Sequence, residues 1–282
     1  MIIHTVSTQR NIRGGRIGSQ NKERDMNVTK KFALAPIAMA LMLAGVPAHA
    51  EPTLQLDIVG GTYDTASETV MATSNSFSLY AYGLSSGNGA VSTTTNYYLS
   101  MALVPATSTP GSFGSFTING GAPINITSDM VYGDAPIETI AALQGHDAGD
   151  LGEHGIFPTY FTEKQFTFSS ANQSGMYNTQ DNAGWGPQAG TGMYYARFDF
   201  DISGIAAGYG LHFDLYNETI SVCGKAKNCT SGDVDVNNFA PFSHDAQGMV
   251  TNVPEPETYA MMLAGLGLMG FVARRRRQRQ VL

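Results

Sequence analysis

The chain has 282 residues, a formal net charge of −7, 14% charged residues and only two cysteines. Its cations gather at the two ends: between residues 51 and 252, Lys164, Arg197, Lys225 and Lys227 stand against nineteen acidic residues, a net of −15. So acidic a stretch excludes nucleic acid and anionic lipid headgroups as its partners and keeps it soluble.

The first 25 residues are polar and basic and read as an upstream extension, with translation expected to start at Met26. Residues 26–50 have the order of a secretory signal peptide. Lys30 and Lys31 form the positive region, Phe32 to Val46 the apolar region, and Ala48-His49-Ala50 the small-residue cleavage site before Glu51. The run is short and ends in small residues, which argues against a permanent N-terminal membrane helix. The organisation is then 1–25 extension, 26–50 signal peptide, 51–252 extracytoplasmic domain and 253–279 C-terminal signal.

From residue 51 onward the pattern has period two. Leu54, Leu56 and Ile58 alternate with polar neighbours, which predicts a half-buried strand ended by Gly60-Gly61. Phe77, Leu79 and Ala81 repeat it, as do Tyr97, Leu99, Met101 and Leu103. Ser115 to Ile118 is a shorter candidate, and Tyr160 to Phe168 carries Phe161, Phe166 and Phe168 among threonines. Tyr194, Ala196, Phe198, Phe200 and Ile202 lie on one side of a strand whose other side has Tyr195, Arg197, Asp199 and Asp201. Leu211, Phe213 and Leu215 alternate with His212, Asp214 and Tyr216. Turn residues separate these runs. Only Ala135 to Gln144 has a helical face of any length, and Ala183 to Gly192, with Trp185, reads as a surface loop. The expected fold is all-β, an antiparallel β-sandwich or jelly roll between an N-terminal signal peptide and a single C-terminal apolar helix.

Cys223 and Cys229 enclose five residues. In an oxidising compartment so close a pair is expected to form a disulfide, and the spacing is not that of a redox Cys-x-x-Cys motif. No cofactor and no metal is expected. The weak candidates are Asp233, Asp235 and Asn237, which resemble the oxygen-rich start of a calcium loop but lack its glycine and distal glutamate. His146, Asp147, Asp150, Glu153 and His154 fall among glycines and read as a polar surface loop. Asp199 and Asp201 beside Arg197 suggest ion pairing, and His244-Asp245 a local hydrogen bond. No catalytic residue is assigned: there is no Gly-x-Ser-x-Gly elbow and no phosphate-cradling glycine loop with a following lysine.

The last thirty residues combine three devices. Val253, Pro254, Glu255 and Pro256 form an extended, readable motif, because proline excludes regular helix. An uncharged run from Tyr259 to Ala273 follows, roughly 22 Å long as a helix at about 1.5 Å per residue. A basic anchor of Arg274, Arg275, Arg276 and Arg277 closes it and would stay cytoplasmic. A core helix is the competing reading of the apolar run, but it leaves the motif and the arginines unexplained.

In that order these residues resemble the PEP-CTERM sorting signal of Gram-negative bacteria. The resemblance implies recognition by a membrane-embedded exosortase, removal of the tail and delivery of the body to the cell surface or matrix. The body is similar to the choice-of-anchor domains, variant N, through Leu54-Gln55-Leu56-Asp57-Ile58, Gly60-Gly61-Thr62-Tyr63-Asp64, His154 to Phe161, His212 to Tyr216 and Ala240 to Ala246. That family carries no activity over.

The expected function is that of an exported, non-catalytic surface or matrix protein, associated with exopolysaccharide or biofilm. Its expected partners are the secretion machinery, an exosortase and, transiently, the inner membrane. The alternative is a carbohydrate- or calcium-binding adhesin module.

Overall fold

The computed structural model describes residues 52–224, 230–250 and 261–271. The upstream extension, the signal peptide with Ala48, Ala50 and Glu51, Cys229, the motif Val253 to Pro256 and the basic residues Arg274 to Arg277 lie outside them. The expected disulfide needs Cys229 and lies outside them as well.

The period-two runs become strands in chain order. They are β1 (Leu54–Ile58), β2 (Thr62–Asp64), β3 (Thr69–Met71), β4 (Ser76–Leu84), β5 (Tyr97–Val104), β6 (Ser115–Ile118) and β7 (Ile124–Asn125). β8 (Val131–Gly133), β9 (Thr159–Phe166), β10 (Gln173–Ser174), β11 (Met193–Asp201), β12 (Gly210–Ile220), β13 (Val234–Phe239) and β14 (Asp245–Met249) complete the set. One sheet has the order β1-β4-β11-β6-β7, with β10 also on β11. The other runs β2-β3-β14-β12-β5-β9-β8, with β13 also on β12. All pairs are antiparallel except β14 with β3.

The two sheets share one core. Leu54, Leu56, Ile58, Phe77, Leu79, Phe198 and Phe200 come from the first, and Leu99, Met101, Leu103, Leu211, Phe213 and Leu215 from the second. Aromatic contacts cross between them: Phe200 meets Phe213 at 4.7 Å between ring centres, and Phe77 meets the same ring edge-on at 5.9 Å. The alternation puts these rings on facing sides, and removing them from water drives the packing.

The expectation of half-buried strands fails in one instructive way. β1 is buried along its whole length, Gln55 and Asp57 included, and β12 is buried from Gly210 to Tyr216. Each has a second cover. The segment after β10 lies over β1, with Tyr177 stacked on Tyr82 at 4.8 Å. Ala135, Ile137, Leu151, Ile156, Phe157 and Phe242 pack over the outer face of β5, β9 and β12 against Ala102, Phe161 and Tyr216. The helical face expected over Ala135 to Gln144 shrinks to a single 3-10 turn at Ala141–Leu143. Gln144 breaks continuation by turning its side chain back: its Oε1 accepts from Glu138 N at 3.0 Å and its Nε2 donates to Asp134 O at 2.7 Å. Trp185 is exposed, as a surface loop requires.

Residues 261–271 of the apolar C-terminal run are helical, and their side chains are exposed. Among the described residues no helix is long and apolar enough to cross a membrane.

Candidate metal centre

β12 positions the site. Along one edge it pairs with β5, His212 opposite Ala102 and Asp214 opposite Ser100. Along the other it changes partner. β14 accompanies it from Gly210 to Phe213, and β13 takes over from Tyr216. A strand's period of two puts His212 and Asp214 on the same face, away from the aromatic core. They lie at the divide between the two partner strands. There the 3-10 turn Phe242–His244 delivers Asp245 as the first residue of β14. The glycine-rich stretch Gly152 to Gly155 brings in His154, whose ring lies flat on Phe242 at 4.1 Å and 7°.

Four side chains from three separate segments thus converge. His154 Nε2 is 2.8 Å from Asp214 Oδ1. His212 Nε2 is 3.4 Å from the same oxygen and 3.6 Å from Asp245 Oδ2. One ligand-capable atom from each of the four lies within 4.8 Å of all the others. Their side chains are 8%, 4%, 2% and 1% exposed for His154, His212, Asp214 and Asp245. None of the inward atoms, His154 Nε2, His212 Nε2, Asp214 Oδ1 and both oxygens of Asp245, has a hydrogen bond of good geometry. Buried polar atoms left so are uncommon and costly.

The outward atoms are held. His154 Nδ1 is 3.1 Å from the Gly152 carbonyl and His212 Nδ1 is 3.3 Å from Gln247 Oε1. An acceptor at Nδ1 fixes the proton there and leaves the Nε2 lone pair pointing inward, the arrangement that metal-bound histidines use. Asp214 Oδ2 accepts from Ser100 Oγ at 3.4 Å. The four groups shift one another's protonation. Burial alone would push the His212 imidazole down, but the Asp214 and Asp245 carboxylates outweigh it and lift it to about 10. Burial raises Asp245 to about 7, while the two histidines hold Asp214 far below the usual carboxylate range against the same penalty. A cleft of about 320 Å³, lined by Ser67, Thr69, Ile156 and Phe242, reaches the site from outside.

The weaker candidates separate. Asp233 joins Glu138 and Asp147 in an oxygen-only group whose ligand atoms lie within 4.8 Å of one another. Asp235 instead accepts from Ser221 Oγ, and Asn237 is exposed. The trio expected from spacing alone therefore does not converge, because the chain turns into β13 after Asp233. The loop His146 to His154 divides too: half-buried Asp147 lies near the Glu138 group, while the His154 side chain is buried against β12, so the reading as a surface loop fails for His154. His146 stands between Asp134 at 3.8 Å and Glu153 at 4.0 Å. The Arg197–Asp199 pair is present at 2.7 Å. His244 Nδ1 lies 3.0 Å from Ser243 Oγ, and Asp245 Oδ2 lies 3.6 Å from His212 Nε2. The centre escaped the sequence reading because its members lie up to 91 positions apart. The one local signal was His-x-Asp within a strand, which sets two ligands on one face.

A protein-family comparison finds the PEP-CTERM protein-sorting motif at residues 252–277. No curated protein and no solved structure matches the chain, so the choice-of-anchor N likeness of the body has no homologue behind it. The motif marks an exported protein that an exosortase sorts at the membrane.

Proposed function

We propose that the chain is a non-catalytic protein of the cell surface or extracellular matrix, associated with exopolysaccharide, whose β body is cargo for exosortase processing. The observation that carries this is the sorting motif starting two residues after Val250, whose amide still bonds the body through Tyr209 O at 2.9 Å. A non-catalytic body accords with the structural use of its half-buried acid Glu163. Tyr216 donates to Glu163 Oε1 at 2.5 Å, and Ile137 N donates to the same oxygen at 2.8 Å, so Glu163 fastens the outer cover to the sheet. C-terminal mass mapping of the mature protein from envelope and medium fractions, with and without the exosortase, tests the reading. Loss of the arginine tail only when the enzyme is present is the expected result; an intact tail in the secreted protein rejects it.

A calcium-binding adhesin module is the second reading, and the Glu138, Asp147 and Asp233 group favours it. Glu138 is 8% exposed, its Oε1 has no hydrogen-bond partner, and burial with Asp233 and Asp150 nearby lifts it to about 7. Hard oxygen ligands of this kind suit calcium. Melting the protein in calcium and in chelator tests it, with a rise of several degrees in calcium expected and no shift counting against it.

A further inference from the structure

We propose that His154, His212, Asp214 and Asp245 bind one divalent transition-metal ion of the zinc class, clasping the loop before β9 and the turn before β14 onto β12.

Three independent features carry this. The first is ligand chemistry. Two imidazole nitrogens and two carboxylate oxygens form a set that zinc accepts, whereas calcium prefers oxygen alone and copper(I) prefers sulfur. The second is spacing. Bonds of about 2.0–2.1 Å in a tetrahedron put neighbouring ligand atoms about 3.3–3.4 Å apart. Three of the six pairs, at 2.8, 3.4 and 3.6 Å, bracket that value, and all four residues offer atoms within 4.8 Å of one another, so an ion needs the side chains to draw in by about an ångström at most. The third is the state of the atoms themselves. The inward nitrogens and oxygens lack hydrogen bonds while the outward Nδ1 atoms have acceptors, Gly152 O and Gln247 Oε1. A purely structural ion-pair network would align N–H groups on the carboxylates. Here both oxygens of Asp245 stand without a donor in good geometry.

Charge balance points the same way. Without a metal the two carboxylates draw a proton onto His212; a bound divalent cation takes that proton's place, leaves both imidazoles neutral and cancels the −2 of the carboxylates. The cleft past Ser67 and Thr69 supplies an entry path.

The test uses the purified full-length chain, freed of metal with a strong chelator and titrated with zinc. One equivalent binding tightly, with a melting temperature several degrees higher, is expected. Cobalt(II) in place of zinc is expected to give the intense visible absorption of a tetrahedral site. His154→Gln and Asp245→Asn should each weaken zinc binding at least about tenfold while Asp199→Asn, on the exposed side of β11, leaves it unchanged. The variants are compared by far-ultraviolet circular dichroism; should either fail to fold, the wild-type stoichiometry and cobalt spectrum still decide. No bound zinc in the wild type, undiminished binding in folded His154→Gln and Asp245→Asn, or displacement of zinc by equimolar calcium would overturn the proposal.

Discussion

The Tyr177 hydroxyl donates to Asp57 Oδ2 across 2.5 Å, joining the segment after β10 to the first strand. Asp57 does more than receive that bond: Gly184 N donates to Oδ1 at 2.8 Å and Gly186 N to Oδ2 at 3.3 Å. Earlier on the same strand, Gln55 Oε1 accepts from Thr179 N at 2.9 Å. Two polar residues of β1 therefore serve as acceptors for the backbone of the loop that covers them. Asp57→Ala strands the Gly184 and Gly186 amides, while the Tyr177 hydroxyl keeps Asn182 O as an acceptor at 2.6 Å, and should cost about 2–5 kcal/mol in urea unfolding; Tyr177→Phe, which removes one donor, should cost about 1–2 kcal/mol.

The Arg197–Asp199 pair, at 2.7 Å, stands in solvent, with side chains 54% and 50% exposed. Solvent and salt screen such a pair. Arg197→Ala should change stability by no more than about 1 kcal/mol, and less in high salt, on the same urea curves.

Core substitution gives the opposite limit. Phe213 is fully buried between Phe77 and Phe200 and links the two sheets. Phe213→Ala should destabilise by about 3–5 kcal/mol, because neighbouring rings from both sheets cannot close the cavity. A loss below about 1 kcal/mol would mean that the sheets do not share this core.

Gly114 is a backbone requirement of another kind. Its φ is +86°, and an added Cβ would fall 1.9 Å from Gly204 O, where Gly114 bridges Ile205. Gly114→Ala must therefore strain φ and push the paired chain segments away from each other, at about 2 kcal/mol or more. Gly120, also at positive φ but with open space around it, should tolerate alanine at about 1 kcal/mol.

Raising the pH from about 4.5 to 8 should weaken the fold through Glu218. Burial first, then the Glu163 carboxylate, lifts it from its ordinary value of 4.5 to about 8. Above pH 4.5 the unfolded chain releases this proton while the folded chain keeps it. The group's stabilising contribution is thus complete below about pH 4.5, declines as pH rises, and is gone above about pH 8. Glu218→Gln should flatten that decline in melting temperature between pH 5 and 8; an unchanged slope would show the charge to be solvated in the fold.

What the sequence disclosed follows from range. The strands bearing Leu79, Phe198 and Phe213 were legible because alternation is local, and the sorting signal because its motif, apolar run and arginines are contiguous. Covering layers were not legible. Whether Gln55, Asp57, His212 and Asp214 face water depends on segments about 60 to 130 residues away folding over them, and no local period records that. The same holds for Asp245, which reads as the neighbour of His244 but is carried to His212 by the start of β14. Asp233 points to Glu138 and not to Asp235 because the chain enters β13 between them.

β14 is an interior strand, gripped by β3 on one edge and β12 on the other, and Val250 is bonded to Tyr209 just beyond it. Four residue steps then lead to Pro254, a reach of at most about 14 Å at full extension. Any enzyme that reads the proline motif must therefore work almost against the surface of an already closed domain, so the bulk of the cargo itself restricts which proteases can approach the cut.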